Sequence, residues 1–166
     1  MARLSEMVSI PFAVDQESLV LRGGIGHRTL LLHDVRMEGC SLCTFQFHVA
    51  RYAYNGFGWS LQRFHGPVLQ LVPQVWGQIE TESLEIGHNN HGFLITNTWR
   101  QDGGERTVAY LLAGVEENQY EIVLEMTLYE RTRSRSACAV ANSPCTQYQV
   151  ELDFLPAAHQ QYFDLQ

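Results

Sequence analysis

The stretch that decides the fold is FLITNTWRQDGGERTVAYLL, residues 93–112. Apolar and polar residues alternate on both sides of Asp102-Gly103, which is typical of two half-buried strands. Asp-Gly is a strong hairpin signal, because both central residues of a type I′ turn need positive φ. The segment therefore predicts an antiparallel hairpin that turns at Asp102-Gly103.

A two-residue loop fixes the register of this hairpin. Arg100 then faces Glu105 as an ion pair, and Trp99 faces Arg106 in a cation–π arrangement. A slip of one residue would move every side chain to the other face, so the matched pairs indicate that this register is correct. The predicted apolar face carries Phe93, Ile95, Asn97, Val108, Tyr110 and Leu112.

The same alternation recurs along the chain, and short hairpin connections separate its segments. We predict strands at 7–14, 17–22, 28–37, 43–54, 57–64, 67–75, 78–86, 92–101, 105–114, 119–131 and 146–155. So many strands must hide their edges by closing into a barrel or by stacking two sheets. We therefore predict one all-β domain over 1–166: an antiparallel β-barrel, calycin-like or similar, of about 8–10 strands, with a two-sheet β-sandwich as the alternative.

Asn55-Gly56 predicts a second type I′ hairpin with an aromatic face. Inside a barrel this face would line an apolar pocket, in which phenol and indole groups orient a ligand. The alternatives are that it belongs to the core or to an oligomer contact. The predicted cross-strand pairs are Tyr54 with Phe57, Tyr52 with Trp59, Ala50 with Leu61, and His48 with Arg63.

A third unit joins the strand at 119–131 to the strand at 146–155 through a long loop. Its alternation predicts one apolar and one wet face. Glu125 and Tyr129 would share the wet face as an acid/base pair or as ordinary surface residues. The predicted apolar face carries Tyr120, Ile122, Leu124, Met126 and Leu128.

Asn97 lies on an apolar face, where its amide needs a hydrogen-bond partner. That partner is a ligand, a water molecule or a neighbouring backbone group. No residue pattern identifies a catalytic group. The candidate ligand-binding residues are Tyr52, Tyr54, Phe57, Trp59, Asn97, Trp99, Tyr110 and Met126.

Four cysteines form the pairs Cys40-x2-Cys43 and Cys138-x6-Cys145. The first pair resembles a metal knuckle, but the second is more widely spaced than zinc ligands usually are. A disulfide between Cys138 and Cys145 is an alternative, and free thiols are the default interpretation. His88-Asn-Asn-His91 lacks a third ligand, so we predict no metal and no cofactor.

Composition excludes several function classes. The chain has no lysine, which rules out lysine Schiff bases, a PLP lysine and a Walker A lysine. A GC-rich genome or selection against ubiquitination in a host cell would explain this absence. The formal net charge of −7 disfavours nucleic-acid binding, because such proteins usually carry a basic face. The spaced arginines Arg131, Arg133 and Arg135 form either an anion site or a solvated loop.

The N-terminal residues lack the uninterrupted apolar run of a signal peptide, and no run approaches the roughly 18 apolar residues of a membrane helix. We therefore expect a cytoplasmic protein that does not bind membranes.

The leading hypothesis is a barrel that holds an apolar or polycyclic small molecule, as a carrier or as a cofactor-free cyclase or isomerase of bacterial natural-product biosynthesis. The alternative is a β-sandwich interaction module or translocated effector that uses the aromatic face as an interface, and a homodimer is one form of it. A cavity would bury Trp59 and Tyr54, whereas an interface would expose them.

Overall fold

The computed structural model describes residues 19–23, 26–34, 45–71, 77–87, 90–115, 119–133, 145–155 and 164–165. Within these ranges every regular element is a β-strand, which confirms the all-β prediction. The strands are β1 (Leu19–Gly23), β2 (His27–Asp34), β3 (Phe45–Tyr54), β4 (Trp59–Leu71), β5 (Gln78–Gly87), β6 (Asn90–Gln101), β7 (Gly104–Gly114), β8 (Tyr120–Arg131), β9 (Gln147–Gln149), β10 (Phe154–Leu155) and β11 (Asp164–Leu165).

Consecutive strands pair with each other, so the chain forms antiparallel meanders. The first sheet has the order β1-β2-β3-β4, the second has the order β5-β6-β7-β8-β9, and β10 pairs with β11. Strand β1 lies near β5 and β6, and β4 lies near β8. The edges of the two sheets therefore approach each other on both sides, which is consistent with a barrel or a sandwich.

The main core lies between the two sheets and draws on both. Phe47 and Phe93, one from each sheet, are its largest fully buried side chains. This space is filled by apolar side chains, as close packing of an interior requires. The core comprises Leu31, Phe47, Val49, Leu69 and Leu71 of the first sheet, and Phe93, Ile95, Val108, Tyr110 and Leu112 of the second.

The β6–β7 hairpin has the predicted turn and register. Asp102 and Gly103 have φ values of 53° and 78°, as a type I′ turn requires. Arg100 Nε lies 3.1 Å from Glu105 Oε2, and the Arg106 guanidinium lies 5.7 Å from the centre of the Trp99 ring. The local sequence therefore specified this hairpin correctly in every cross-strand pair from Phe93↔Leu112 to Arg100↔Glu105.

The β3–β4 hairpin differs from the predicted one. Its loop spans residues 55–58 instead of two residues, so Tyr54 pairs with Trp59 and Tyr52 pairs with Leu61. A register irregularity between Tyr52 and Arg51 places Phe64 opposite Ala50, and a second one between Val49 and Phe47 shifts the rest of the strand. The predicted pairing of His48 with Arg63 is wrong for the same reason. The strand predicted at 57–64 and the one predicted at 67–75 are joined in the single strand β4.

Strand β8 does not keep the predicted apolar face. Its pairing with β7 is irregular between Ile122 and Leu124 and again between Thr127 and Tyr129. A β-bulge reverses the facing of the residues beyond it, because an extra residue interrupts the alternation. Ile122 thus aligns with Leu112 of the core, whereas Leu124 packs with the separate cluster of Ile86, Leu111 and Ala113.

The irregularity between Thr127 and Tyr129 also separates the proposed acid/base pair of β8. Glu125 lies opposite Tyr110, whereas Tyr129 lies opposite Thr107. Tyr110 and Thr107 point to opposite faces of β7, since three positions separate them. The prediction that Glu125 and Tyr129 share a face is therefore wrong.

The C-terminal strand is shorter than predicted. Strand β9 pairs with β8 over three residues, and β10 then pairs with β11 instead. The predicted strand at 7–14 lies outside the described residues, as do most of the loop at 132–145 and the residues 156–163.

Candidate functional site: the β3–β4 tip and a cleft beside Trp99

The loop of the β3–β4 hairpin is held by its own polar groups. Asn55 Oδ1 accepts hydrogen bonds from the backbone N–H groups of Phe57 and Gly58, both at 3.0 Å. The backbone N–H of Asn55 donates to the Gly58 carbonyl at 3.1 Å, and the Tyr54 hydroxyl donates to the Gly56 carbonyl at 2.9 Å. Such an Asx turn satisfies the loop backbone without positive φ at the asparagine.

Aromatic and cationic side chains surround this loop. Trp59 is half-buried, its ring centroid lies 5.4 Å from that of Tyr54, and the Arg28 guanidinium lies 4.4 Å from the centre of the Trp59 ring. Tyr54 is 49% exposed and Phe57 is 100% exposed. We call Arg28, Tyr54, Phe57 and Trp59 the hairpin tip.

The tip continues into an apolar cluster on the outer face of the first sheet. Leu30 and Leu32 belong to it, whereas Leu31 between them belongs to the shared core, because adjacent strand residues face opposite ways. The aromatic residues of the tip therefore do not line the space between the sheets. The cluster contains Leu30, Leu32, Ala50 and Tyr52, with Trp59 and Leu61 packed against it.

Tyr52 places a polar atom in this apolar cluster. The residue is 4% exposed, and its hydroxyl is buried without a hydrogen-bond partner. Burial raises the pKa of Tyr52 above its ordinary value of 10.0, since desolvation disfavours the phenolate. Four residues earlier on the same strand, the His48 imidazole stacks on Phe64 with ring centroids 5.4 Å apart.

A cleft of about 330 Å³ lies at the turn end of the β6–β7 hairpin. Trp99, Arg106 and Glu130 are cross-strand neighbours and share one face of the second sheet. Gly104 lies in the same region, where an added Cβ would come within 2.5 Å of the Arg131 carbonyl oxygen. The lining residues are Trp99, Gln101, Asp102, Gly104, Glu105, Arg106, Glu130, Arg131 and Thr132.

Arg131 supports this cleft and is not a solvated loop residue. It is 7% exposed, its Nε donates to the Arg133 carbonyl at 2.7 Å, and its Nη1 donates to the Tyr129 hydroxyl at 2.9 Å. Its Nη2 also lies 3.5 Å from Glu105 Oε2. Because these contacts occupy the guanidinium, Arg131 is a structural residue. Arg135 lies outside the described residues.

The remaining predicted ligand residues lie inside the fold. Asn97 is completely buried, and its Oδ1 accepts a hydrogen bond from the Gly77 N–H at 2.9 Å, so a neighbouring backbone group is its partner. Tyr110 belongs to the core, and its pKa is raised by burial and by Glu125, while Arg106 lowers it. Met126 is half-buried opposite Ala109. The structure brings Tyr54 and Trp59 together, but Trp99 alone of the predicted set lines the cleft.

The cysteine interpretation needs correction at Cys145. This residue is disulfide-bonded, so its interpretation as a free thiol is wrong. Cys40, Cys43 and Cys138 lie outside the described residues, and so does His88. Within the described part of the chain, no group of three or more histidine, cysteine or acidic side chains is placed to hold a metal ion.

Charge is distributed unequally between the two sheets. The strands of the first sheet carry one acidic residue, Asp34, against four arginines, whereas β5 to β9 carry seven glutamates against three arginines. The first sheet is therefore cationic within a chain of formal net charge −7. Its arginines are Arg22, Arg28, Arg51 and Arg63.

The comparisons with known proteins identify no relative. No protein-family model, curated protein or solved structure matches the chain. None of the described residues belongs to a helix with the length and apolar character needed to cross a membrane.

Sequence reasoning missed Arg28 as part of the tip. Arg28 lies on β2, and only the pairing of β2 with β3 places it beside Tyr52 and within reach of Trp59. Gly58 was the available signal for the longer loop, since a second glycine after Asn55-Gly56 permits a turn that closes later.

Proposed function

We propose that this protein is an interaction module that binds a partner protein through the hairpin tip. The observation that carries the proposal is Phe57, a large apolar side chain that is 100% exposed. Exposure of this kind does not stabilise the fold, because no apolar surface of the side chain is removed from water. Inserting Phe57 into a pocket of another protein would bury that surface.

The tip has the composition of an interface centre. Tyrosine, tryptophan and arginine dominate binding hot spots, because they combine large contact area with polar groups. Tyr54 and Arg28 each contact Trp59 beside the loop. A partner that covers Phe57 would therefore also meet a tyrosine, an indole and a guanidinium.

The tip is also organised before binding. Asn55 fixes the loop backbone through two hydrogen bonds at 3.0 Å, and the Tyr54 backbone N–H donates to the Gly26 carbonyl at 2.7 Å, which ties the tip to the β1–β2 turn. A preorganised loop loses less conformational entropy on association, so more of the contact energy appears as affinity.

The charge of the first sheet indicates the partner's chemistry. Its strands hold four arginines and one aspartate, and Arg28 is exposed at the tip itself. Complementary charge speeds association and suppresses wrong partners. The partner surface is therefore an apolar pocket for Phe57 that is bordered by acidic side chains.

The test combines site-specific crosslinking with binding by a purified partner. A photo-crosslinking phenylalanine analogue replaces Phe57, and the crosslinked protein is identified by mass spectrometry. That protein is then purified, and its affinity is measured for the wild type and for Phe57→Ala. We expect Phe57→Ala to weaken binding at least tenfold, since hot-spot truncations cost about 2 kcal/mol or more.

Val115→Ala is the matched control, because Val115 is also an exposed apolar residue (46%) but lies on the loop that follows β7, away from the hairpin tip. It should leave affinity unchanged. Equal binding by the wild type and Phe57→Ala would contradict the proposal. If the crosslinked species is a second copy of this chain, sedimentation of the wild type must show a dimer that Phe57→Ala dissociates, and the partner is then the chain itself.

We propose a second candidate function, small-molecule binding, because the cleft of about 330 Å³ is lined by Trp99. This volume lies at the lower end of the range for ligand pockets. The cleft offers an indole wall, the half-buried Glu130 carboxylate and the Arg106 guanidinium. It would carry a ligand or hold a substrate for a cofactor-free cyclisation or isomerisation.

Native mass spectrometry of the purified chain tests this second function. A retained small molecule that is lost on denaturation, and also lost in Trp99→Ala but kept in Trp59→Ala, would place it in the cleft. Retention in Trp99→Ala together with loss in Trp59→Ala would place it at the tip instead and refute the cleft.

A further inference from the structure

The loop of the β3–β4 hairpin places Asn55 directly before Gly56, and both residues are exposed. A bond from the Gly56 backbone nitrogen to Asn55 Cγ closes a five-membered ring, so attack of one atom on the other is an intramolecular step. The rate of such a step depends on how well the two atoms are placed and activated. The surroundings of these two atoms therefore decide how fast the loop modifies itself.

Two backbone donors activate the side-chain carbonyl of Asn55. Its Oδ1 accepts hydrogen bonds from the N–H groups of Phe57 and Gly58, both at 3.0 Å. Negative charge develops on this oxygen when a nitrogen adds to Cγ, and a hydrogen bond to a charged acceptor is roughly twice as strong as one to a neutral acceptor. A pair of N–H groups about 3 Å from a developing oxyanion is the arrangement by which enzymes stabilise such an intermediate.

The attacking nitrogen is accessible. Among the hydrogen bonds of the described residues, none uses the Gly56 N–H, whereas the Gly56 carbonyl accepts one from the Tyr54 hydroxyl at 2.9 Å. A Cβ added at Gly56 would meet no atom within 4 Å, so the space around this residue is open to solvent. Base therefore reaches the Gly56 amide proton, and no side chain crowds the nitrogen.

We infer that Asn55 is a site of spontaneous deamidation, which the folded β3–β4 loop accelerates. Hydroxide removes the Gly56 amide proton, the nitrogen electron pair forms a bond to Asn55 Cγ, and the carbonyl π pair moves to Oδ1. When the carbonyl re-forms, the Cγ–Nδ2 bond breaks. Nδ2 takes a proton from water, which regenerates hydroxide, and leaves as ammonia, so a cyclic imide remains.

Hydrolysis of this imide completes the reaction. Water adds to one of the two imide carbonyls and breaks its bond to the ring nitrogen, so residue 55 becomes aspartate or isoaspartate. The net reaction consumes one water and releases one ammonia. Either product adds a negative charge next to the hairpin tip, and isoaspartate also lengthens the backbone before Phe57. The modification therefore alters the surface around Phe57, and its chemistry does not depend on the partner proposed above.

Peptide mapping of the full chain after incubation at mildly alkaline pH tests this inference. Trypsin cleaves after Arg51 and Arg63, so it releases the loop in the peptide of residues 52–63, whose one asparagine is Asn55. The same peptide, synthesised and incubated without the fold, supplies the reference rate. Liquid chromatography with mass spectrometry resolves the asparagine, aspartate and isoaspartate forms.

The folded chain should react faster than the peptide. A donor of an enclosed oxyanion hole contributes about 100-fold to a rate, and solvent weakens such a donor on an exposed loop. We therefore expect Asn55 to deamidate at least about threefold faster in the folded chain than in the peptide. The rate should rise with pH, because hydroxide removes the Gly56 amide proton.

Asn97 is the control within the same sample. Its Oδ1 also accepts a backbone N–H, at 2.9 Å, but the residue is buried and Thr98 follows it. It should stay unmodified while Asn55 reacts. Comparable modification of the two asparagines would overturn the inference, and so would a rate at Asn55 that does not exceed that of the peptide, because the two donors would then only restrain the side chain.

Substitution of Gly58 tests the donors themselves. Gly58→Pro removes one of the two N–H groups on Asn55 Oδ1 and should lower the rate towards that of the peptide. Gly58→Ala is the matched control, since it keeps the N–H and its Cβ meets no atom within 4 Å. Circular dichroism first verifies that both variants keep the strand content of the wild type. Equal rates in two folded variants would contradict activation by the Gly58 N–H.

Discussion

The two hairpins of this protein begin from the same kind of signal and end differently. Asp102-Gly103 forms the predicted two-residue turn, and both residues have positive φ. At Asn55-Gly56 only the glycine has positive φ, 93°, and the loop extends to Gly58. Among the described non-glycine residues, Asp102 alone adopts the left-handed region.

The flanking residues explain the difference. Beside Asp102-Gly103, the short register creates the Arg100–Glu105 ion pair and a hydrogen bond between the Thr98 and Thr107 hydroxyls at 2.9 Å. Beside Asn55-Gly56, the short register would pair Tyr54 with Phe57. The longer loop instead pairs Tyr54 with Trp59 and lets the Asn55 side chain satisfy two backbone groups.

Both hairpins contribute strands to the shared core, and the comparison shows that they differ in what their loops present to solvent. Strands β6 and β7 supply half of the shared core, including the fully buried Phe93. The β3–β4 loop leaves Phe57 entirely in water. The tip, like the bulged strand β8, departs from the prediction made from local sequence.

The largest expected contrast uses one substitution at two positions. Phe93→Ala should lower the free energy of unfolding by about 3–5 kcal/mol, because it removes buried surface and leaves a cavity. Phe57→Ala should change it by less than about 0.5 kcal/mol, since an exposed side chain has no packing to lose. Urea denaturation of both variants measures this, and a comparable loss in the two would end the distinction between core and tip.

Replacement of the first turn residue by glycine distinguishes the two loops. Asn55→Gly should cost about 1–2 kcal/mol, because the Oδ1 acceptor of two backbone N–H groups is lost. Asp102→Gly should be neutral or slightly stabilising, since glycine tolerates its positive φ. Equal unfolding midpoints for the two variants would indicate that both loops have the same turn type.

Removal of the Tyr52 hydroxyl should stabilise the protein. Tyr52→Phe should raise the free energy of unfolding by about 1 kcal/mol at neutral pH. The substitution removes a hydroxyl that is buried without a hydrogen-bond partner, and with it the desolvation penalty of burying that group. The folded pKa of Tyr52 is raised, so its protonated form stabilises the native state below pH 10.0 and that contribution is lost as pH rises through the folded pKa. The gain in free energy of unfolding from Tyr52→Phe should therefore grow above pH 10.0, and chemical denaturation at a series of pH values measures it. If the variant is less stable than the wild type instead, the hydroxyl has a hydrogen-bond partner in solution.

The smallest effect concerns the ion pair that helped to predict the register. Arg100 is 83% exposed and Glu105 20% exposed, and such surface pairs contribute about 0.2–1 kcal/mol at low salt. Arg100→Gln should lose stability in this range, and the loss should shrink as salt is added. A salt-independent loss of several kcal/mol would mean that the pair stabilises the hairpin beyond its surface charge.

Sequence pattern predicted the elements well where two strands met through a short loop with chemically matched neighbours. It failed at β8, because bulges place Leu124 on the face opposite to Ile122 and no residue type announces the extra position. Asn97 illustrates an open alternative that packing resolved: its buried amide accepts a bond from Gly77, twenty residues earlier in the chain.

The sequence by itself determined the all-β class, the β6–β7 register and the exclusion of lysine chemistry, because these depend on alternation, on two turn residues and on composition. Only the tertiary structure decided that Arg28 covers Trp59, that Arg51 faces Arg63 and that Phe57 lies in solvent. Each of these depends on register between strands and on bulges. Register is set by the free energy of the whole packed sheet, to which a single loop contributes only a small part.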